Sequence, residues 1–104
     1  MSTLNQLPMT ETAFYILLTL LQPTHGYGII QHVAAITNQR IVLGAGTLYG
    51  TLKKMQDEQL IDLVDEEGKR KIYQVTATGK QLLHSERKRL LELTHNAEVL
   101  DDAD

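Results

Sequence analysis

Leu43-Gly44-Ala45-Gly46-Thr47-Leu48-Tyr49-Gly50-Thr51-Leu52-Lys53-Lys54-Met55-Gln56-Asp57-Glu58-Gln59-Leu60-Ile61-Asp62-Leu63-Val64-Asp65-Glu66-Glu67-Gly68-Lys69-Arg70-Lys71-Ile72-Tyr73-Gln74-Val75 is the most informative stretch of this chain. Gly44-Ala45-Gly46 starts a helix that is predicted to run to about Gln59. Leu48, Leu52, Met55 and Gln59 recur on one face at steps of three or four residues. The opposite face carries Gly46, Gly50, Lys53 and Asp57, flanked by Thr47, Tyr49 and Lys54, so it is small, polar or cationic. Two strands follow, around Ile61, Leu63 and Val64 and around Ile72 and Val75. The turn between them is expected at Glu66-Glu67-Gly68-Lys69, with Gly68 supplying a positive φ.

A helix with a small, polar outer side, followed at once by a hairpin bearing three consecutive cations, is the order of elements in a winged helix-turn-helix. The helix offers groove contacts and the hairpin offers phosphate contacts. Taken alone, Lys69-Arg70-Lys71 reads more simply as a solvated turn balanced by Asp65, Glu66 and Glu67; its position directly after such a helix favours a wing. Tyr49 and Tyr73 each have a hydroxyl that could reach a phosphate oxygen, although isolated tyrosines are more often half-buried. Gly50 costs a helix about 0.5–1 kcal/mol relative to Ala. Close approach to DNA and close packing against another helix are both open as its reason.

The elements upstream support this pair. Thr10 is expected to cap a first helix from Glu11 to about Gln22, ended by Pro23, with Phe14, Leu17, Leu18 and Leu21 at helical spacing. Thr24 is expected to cap a second helix from His25 to Thr37. Residues 1–9 read as a loose arm. Downstream, Thr76 or Thr78 caps a last helix reaching about Leu100. In it Leu83, Leu90 and Ala97 repeat every seven residues, with Leu93 and Leu100 offset by three and Glu86 interrupting the seam. A helix this long overhangs a small core, so a second copy is expected to cover the seam.

The bulk composition bounds the rest. The chain has 104 residues, 42% of them hydrophobic and 22% charged, which suits one folded domain. There is no Cys, which excludes a disulfide framework and a thiolate site. The longest apolar run, Ala13 to Leu21, is too short to span a membrane. A signal peptide is not expected and a cytoplasmic location is. Net charge is −3, but from Leu90 to Asp104 there are five acids and no Lys or Arg. The remainder holds 10 basic against 8 acidic side chains, so local basic patches can still bind phosphate.

The glycines at 44, 46 and 50 do not have nucleotide-loop spacing. His25, His32, His84 and His95 show no metal-ligand spacing and read as surface or core residues; Ser85 has no base nearby in sequence. No cofactor, metal or catalytic residue is expected, and the chain does not read as an enzyme.

Several segments together resemble the PadR-like transcriptional regulators. They are His25-Gly26-Tyr27-Gly28-Ile29-Ile30, Gly46 through Met55 with its Thr-Leu-Tyr motif, Leu60-Ile61, Arg70-Lys71-Ile72-Tyr73, Thr76-Ala77-Thr78-Gly79-Lys80 and Glu86-Arg87. The match covers about residues 10 to 90. It implies a winged helix-turn-helix, a dimer formed through the C-terminal helix as in the smaller subfamily, and transcriptional repression in bacteria. It places Thr47, Tyr49, Lys53 and Lys54 on the recognition helix and Lys69, Arg70 and Lys71 on the wing. Many members have Pro where this chain has Gly50, and Gly where it has Gln59. Members often respond to small, frequently aromatic molecules. With no Trp and one Phe, an aromatic sandwich finds no support in these residues.

The combined expectation is an α+β, mainly α, winged helix-turn-helix. Residues 1–78 form the DNA-binding part and residues 79–104 the C-terminal dimerisation helix and acidic tail, in a single compact unit. The expected function is a ligand-responsive repressor that binds a palindromic operator in double-stranded DNA as a homodimer. The expected DNA contacts are Thr47, Tyr49, Gly50, Lys53, Lys54, Lys69, Arg70, Lys71 and Tyr73. The expected dimer interface is Leu83, Leu90, Leu93, Ala97 and Leu100, with room there for a small apolar effector. A winged-helix module that binds a protein and no DNA is the alternative, supported by the acids around the wing.

Overall fold

A computed structural model describes residues 7–103. Most of the arm expected at 1–9, together with Asp104, lies outside the described residues. Three helices, α1 (Glu11–Thr19), α2 (Gly26–Ile36) and α3 (Ala45–Asp57), precede an antiparallel hairpin of β1 (Ile61–Glu67) and β2 (Arg70–Val75). A long helix α4 (Ala77–Asn96) follows and ends in a 3₁₀ segment, Ala97–Asp102. The fold is the winged helix-turn-helix expected: mainly helical, with one two-stranded sheet.

Local chemistry sets most of the boundaries. Thr10 caps α1 by accepting Ala13 N–H, and Thr76 caps α4 by accepting Gly79 N–H. The cap of α2 differs from expectation. His25, not Thr24, accepts Gly28 N–H, through its ring Nδ1 at 3.2 Å. The backbone of Thr24 instead pairs with Tyr73 on β2, with N···O distances of 3.1 and 2.9 Å in the two directions. That bridge fastens the base of the hairpin to the start of α2.

Helix α3 ends earlier than its periodicity predicts. Gln59 is not on the buried face; it has φ 62, in the left-handed region. Leu60 N–H donates to Met55 C=O at 2.8 Å and Gln59 N–H to Gln56 C=O at 3.0 Å, the paired bonds of a Schellman stop. Glycine serves such a position at least cost, and this chain places Gln there. The exit is clamped further by Thr76, whose hydroxyl donates to Gln59 C=O and whose amide donates to Leu60 C=O.

The core lies where α1, α2, α3, the hairpin base and the first turns of α4 meet. Ile16, Leu17, Leu20, Ile29, Val33, Leu48, Leu52, Met55, Leu60 and Ile61 are fully or almost fully buried. Leu82 and Leu83 of α4 complete it. From Arg87 onward α4 leaves the core, and no position up to Ala103 is buried. The described residues therefore extend 57 Å along one axis and 28 and 25 Å along the others.

Glu86 is the exception on α4. Its side chain is 1% exposed, accepts Met9 N–H at 2.5 Å and pairs with Arg89. The Arg89 hydrogen bond holds its carboxyl below the usual carboxylate range; burial opposes this and the Met9 amide adds to it. Because the folded value is the lower one, charged Glu86 stabilises the fold above the usual carboxylate range. That stability is lost as pH falls through the folded value. Glu86→Gln should therefore lower stability at neutral pH by about 1.5–3 kcal/mol, the value of hydrogen bonds to a charged group. Thermal melts of variant and wild type should converge in acid. Curves separated equally at all pH values would remove Glu86 from the acid response.

Candidate nucleic-acid interface

The inner face of α3 is held by Leu48, Leu52 and Met55 in the core, so its outer face is fixed by default. Thr47, Tyr49, Gly50, Lys53 and Lys54 are all exposed there, as the periodicity predicts. A Cβ built on Gly50 meets nothing within 4 Å, and the same is true of Gly44 and Gly46. Helix packing is thus not the reason for Gly50. The open alternative resolves to a smooth, solvent-facing surface over which a second molecule could approach the backbone. The Thr51 hydroxyl donates back to Thr47 C=O at 2.8 Å, which leaves Thr47, Lys53 and Lys54 as the readiest groups for base edges.

This surface carries a prediction. Gly50→Leu should leave the fold intact, since the side chain enters open space, and should raise helix propensity. It should also obstruct groove entry and lower DNA affinity at least tenfold, by about 1.4 kcal/mol or more. Wild-type affinity with an unchanged circular dichroism spectrum would mean that Gly50 does not face DNA.

The hairpin turn is displaced by one residue from its expected place. Glu67 pairs with Arg70, so Gly68 and Lys69 are the two central residues. Gly68 has φ 64 and Lys69 stays outside the left-handed region, which fits a type II′ turn with Gly first. Only Lys69 is therefore at the tip; Arg70 and Lys71 begin β2. A bulge between Leu63 and Asp65 leaves Val64 unpaired and bends β1. Lys71 and Arg70 stand opposite Glu66 and Glu67 in register. Even so, none of the three cations forms an ion pair among the described residues. The balancing role weighed for those acids is thus weak.

Between wing and helices lies a cleft of about 410 Å³, lined by His25, Gly26, Tyr27, Tyr49, Tyr73 and the three wing cations. Gly26 leaves room for Tyr49: a Cβ there would sit 2.6 Å from the Tyr49 hydroxyl and push that ring aside. The structure thus brings Tyr49 of α3 together with the wing, while Lys53 and Lys54 stand on α3 outside the cleft. It adds His25 and Tyr27, which the reading by residue type passed over. Their position immediately before and within the first turn of α2, in His25-Gly26-Tyr27-Gly28, was the available signal.

Two expected assignments change. Tyr73 is 5% exposed, and its backbone forms the bridge to Thr24. Burial first, then the neighbouring Tyr49 and Glu66, push its hydroxyl pKa up. It is a core residue forming the cleft's inner wall, not a free arm toward phosphate. Leu83 is 6% exposed and packs in its own domain's core, so it does not belong to an intermolecular seam. Leu90 and Leu93 are 40% and 51% exposed, and Ala97 and Leu100 are exposed as well. The change to 3₁₀ geometry at Ala97 breaks the seven-residue repeat there, so of the exposed residues in the expected seam only Leu90 and Leu93 are α-helical.

Among the described residues no group of His, Asp or Glu could hold a metal ion, and no helix is long and apolar enough to cross a membrane.

Comparison with known proteins places this geometry. Residues 16–85 match the model of the transcriptional regulator PadR-like family. A crystal structure of a PadR family transcriptional regulator from Eggerthella lenta superposes with a TM-score of 0.74. It is 23% identical, over 88% of this chain and 82% of that one. Bacillus subtilis PadR, solved in complex with operator DNA, is 30% identical with a TM-score of 0.63, over 75% of this chain and 47% of that one. The transcriptional regulator YqjI of Escherichia coli is 31% identical over 67 residues, 64% of this chain but 32% of that protein. The chain thus spans about a third of the length of that curated relative.

Proposed function

The chain belongs to the PadR-like family of transcriptional regulators, and from that premise we propose that it is a ligand-responsive repressor that binds a palindromic operator as a homodimer. The observation that carries this reading is the pairing of a smooth, exposed α3 face with three wing cations that have no carboxylate partner among the described residues. On this reading Thr47, Tyr49, Gly50, Lys53 and Lys54 meet the groove, and Lys69, Arg70 and Lys71 meet phosphates. The similar Bacillus subtilis PadR was solved in complex with operator DNA, which supports DNA as the partner. With few groups able to make bidentate base contacts, DNA shape carries much of the specificity.

Residues 1–78 do the reading and residues 79–104 the pairing of subunits, although Leu82 and Leu83 pack in the common core and make one folding unit. Leu90, Leu93, Ala97 and Leu100 meet their copies across a two-fold axis, which sets two recognition helices about 34 Å apart. A small apolar effector bound at that interface would change the spacing of the two readers. Selection of genomic fragments by the purified protein tests the whole reading. Enrichment of an inverted repeat, with retention that falls steeply as salt rises, supports it. Retention insensitive to salt and sequence, or none at all, favours a protein-binding module instead.

A further inference from the structure

At the cleft two hydrogen-bond donors, the Gly28 amide and the Arg70 guanidinium, approach the two ring nitrogens of His25. In the tautomer that caps α2, His25 Nδ1 accepts Gly28 N–H and the ring proton lies on Nε2. Arg70 Nη1 stands 3.4 Å from that Nε2. A guanidinium has donors and no acceptor, and a neutral imidazole has one accepting nitrogen, so the ring cannot accept from Gly28 and Arg70 at once. An acceptor with several lone pairs, seated beside the pair, would take both the guanidinium and the Nε2–H of the capping tautomer. The surrounding lining adds the ammonium groups of Lys69 and Lys71 and the Tyr49 hydroxyl, and it includes no Asp or Glu. The Thr24–Tyr73 bridge holds the two sides of the cleft in place from below.

We propose that this cleft is a phosphate-oxyanion site in which the His25 Nε2–H and the Arg70 guanidinium clamp a single phosphate. The occupant is one phosphodiester of bound DNA, an assignment that rests on the DNA-binding reading; inorganic phosphate presents the same oxygens. A phosphate there joins the cap of α2 to the wing. The wing is then locked at a fixed distance from α3, and backbone contact is tied to groove reading. His25 has two roles from its two nitrogens: one caps a helix, the other holds a ligand.

His25→Ser separates those roles. A serine hydroxyl accepts the same Gly28 amide and keeps the cap, but it is too short to reach Arg70's side of the cleft. The probe is a labelled DNA duplex titrated by fluorescence anisotropy. His25→Ser should melt like wild type and bind about tenfold more weakly, with the log–log salt slope unchanged. Arg70→Ala should bind more weakly with a slope shallower by about 0.9. The double variant should bind little worse than Arg70→Ala, because both side chains hold one phosphate. Wild-type affinity in His25→Ser, or losses that simply add, overturns the clamp while leaving DNA binding in place. Should the wild type not bind the duplex at all, the DNA-binding reading fails, and inorganic phosphate titrated against the His25 ring ¹⁵N resonances decides. A shift of Nε2 that vanishes in Arg70→Ala retains the site as one for free phosphate; no shift removes it.

Discussion

Replacing Leu90 and Leu93 together with Glu should turn a dimer into a monomer in sedimentation experiments and lower operator affinity on the order of a hundredfold. Neither residue approaches the α3 face or the wing, so a loss of this size would come from losing bivalency. Two linked half-sites gain about 10²–10⁴ over one through effective concentration. Both leucines are large, apolar and about half exposed on a stretch of α4 that has left its own core. Four like charges brought into one seam would oppose its closure. The fold itself should survive, because neither side chain contributes to the core. A double variant that sediments as a dimer would put the subunit interface on another face. A monomer that binds operator at wild-type strength would show that one winged helix suffices.

The second large effect concerns the wing. Changing Lys69, Arg70 and Lys71 to Ala should weaken binding to every DNA sequence about equally. If all three contact phosphate, the log–log salt slope becomes shallower by roughly 2.7, and affinity near physiological salt drops on the order of a hundredfold. Stability should move little, because all three are exposed and none makes an ion pair among the described residues. An unchanged slope would mean that the acids opposite them, Glu66 and Glu67, neutralise the hairpin and that it does not touch the backbone. The shape of the loss also separates the two elements: a change on α3 should alter preference among sequences, whereas this one should not.

Local rules carried much of this molecule. The buried stripe Leu48, Leu52 and Met55 fixed which side of α3 faces out, because a helix in a small domain has one core to meet. Thr10 marked one helix start, and Thr76, one of two candidates with Thr78, marked another through a side-chain oxygen that reaches its own backbone. Gly68 marked a two-residue turn. Each of these depends on residues within a few positions of one another, which is why they could be read in order along the chain. Contacts across long separations were not legible in this way. Gln59 continues the helical spacing, yet α4 clamps the exit of α3 and sends it left-handed. Tyr73 has the composition of an exposed wing residue, yet its pairing with Thr24, 49 positions earlier, draws it into the core. Leu83 and Leu90 occupy the same place in a seven-residue repeat; one is buried in its own domain and the other is not, because the core ends between them. Glu86 looks like a break in an apolar seam, and burial against Met9, 77 residues away, makes it a fixed charge. His25 offers no spacing rule at all. Its second nitrogen acquires a meaning only when the hairpin folds back and sets Arg70 against it, since the position of a donor depends on the packing of elements and not on the residue that carries it.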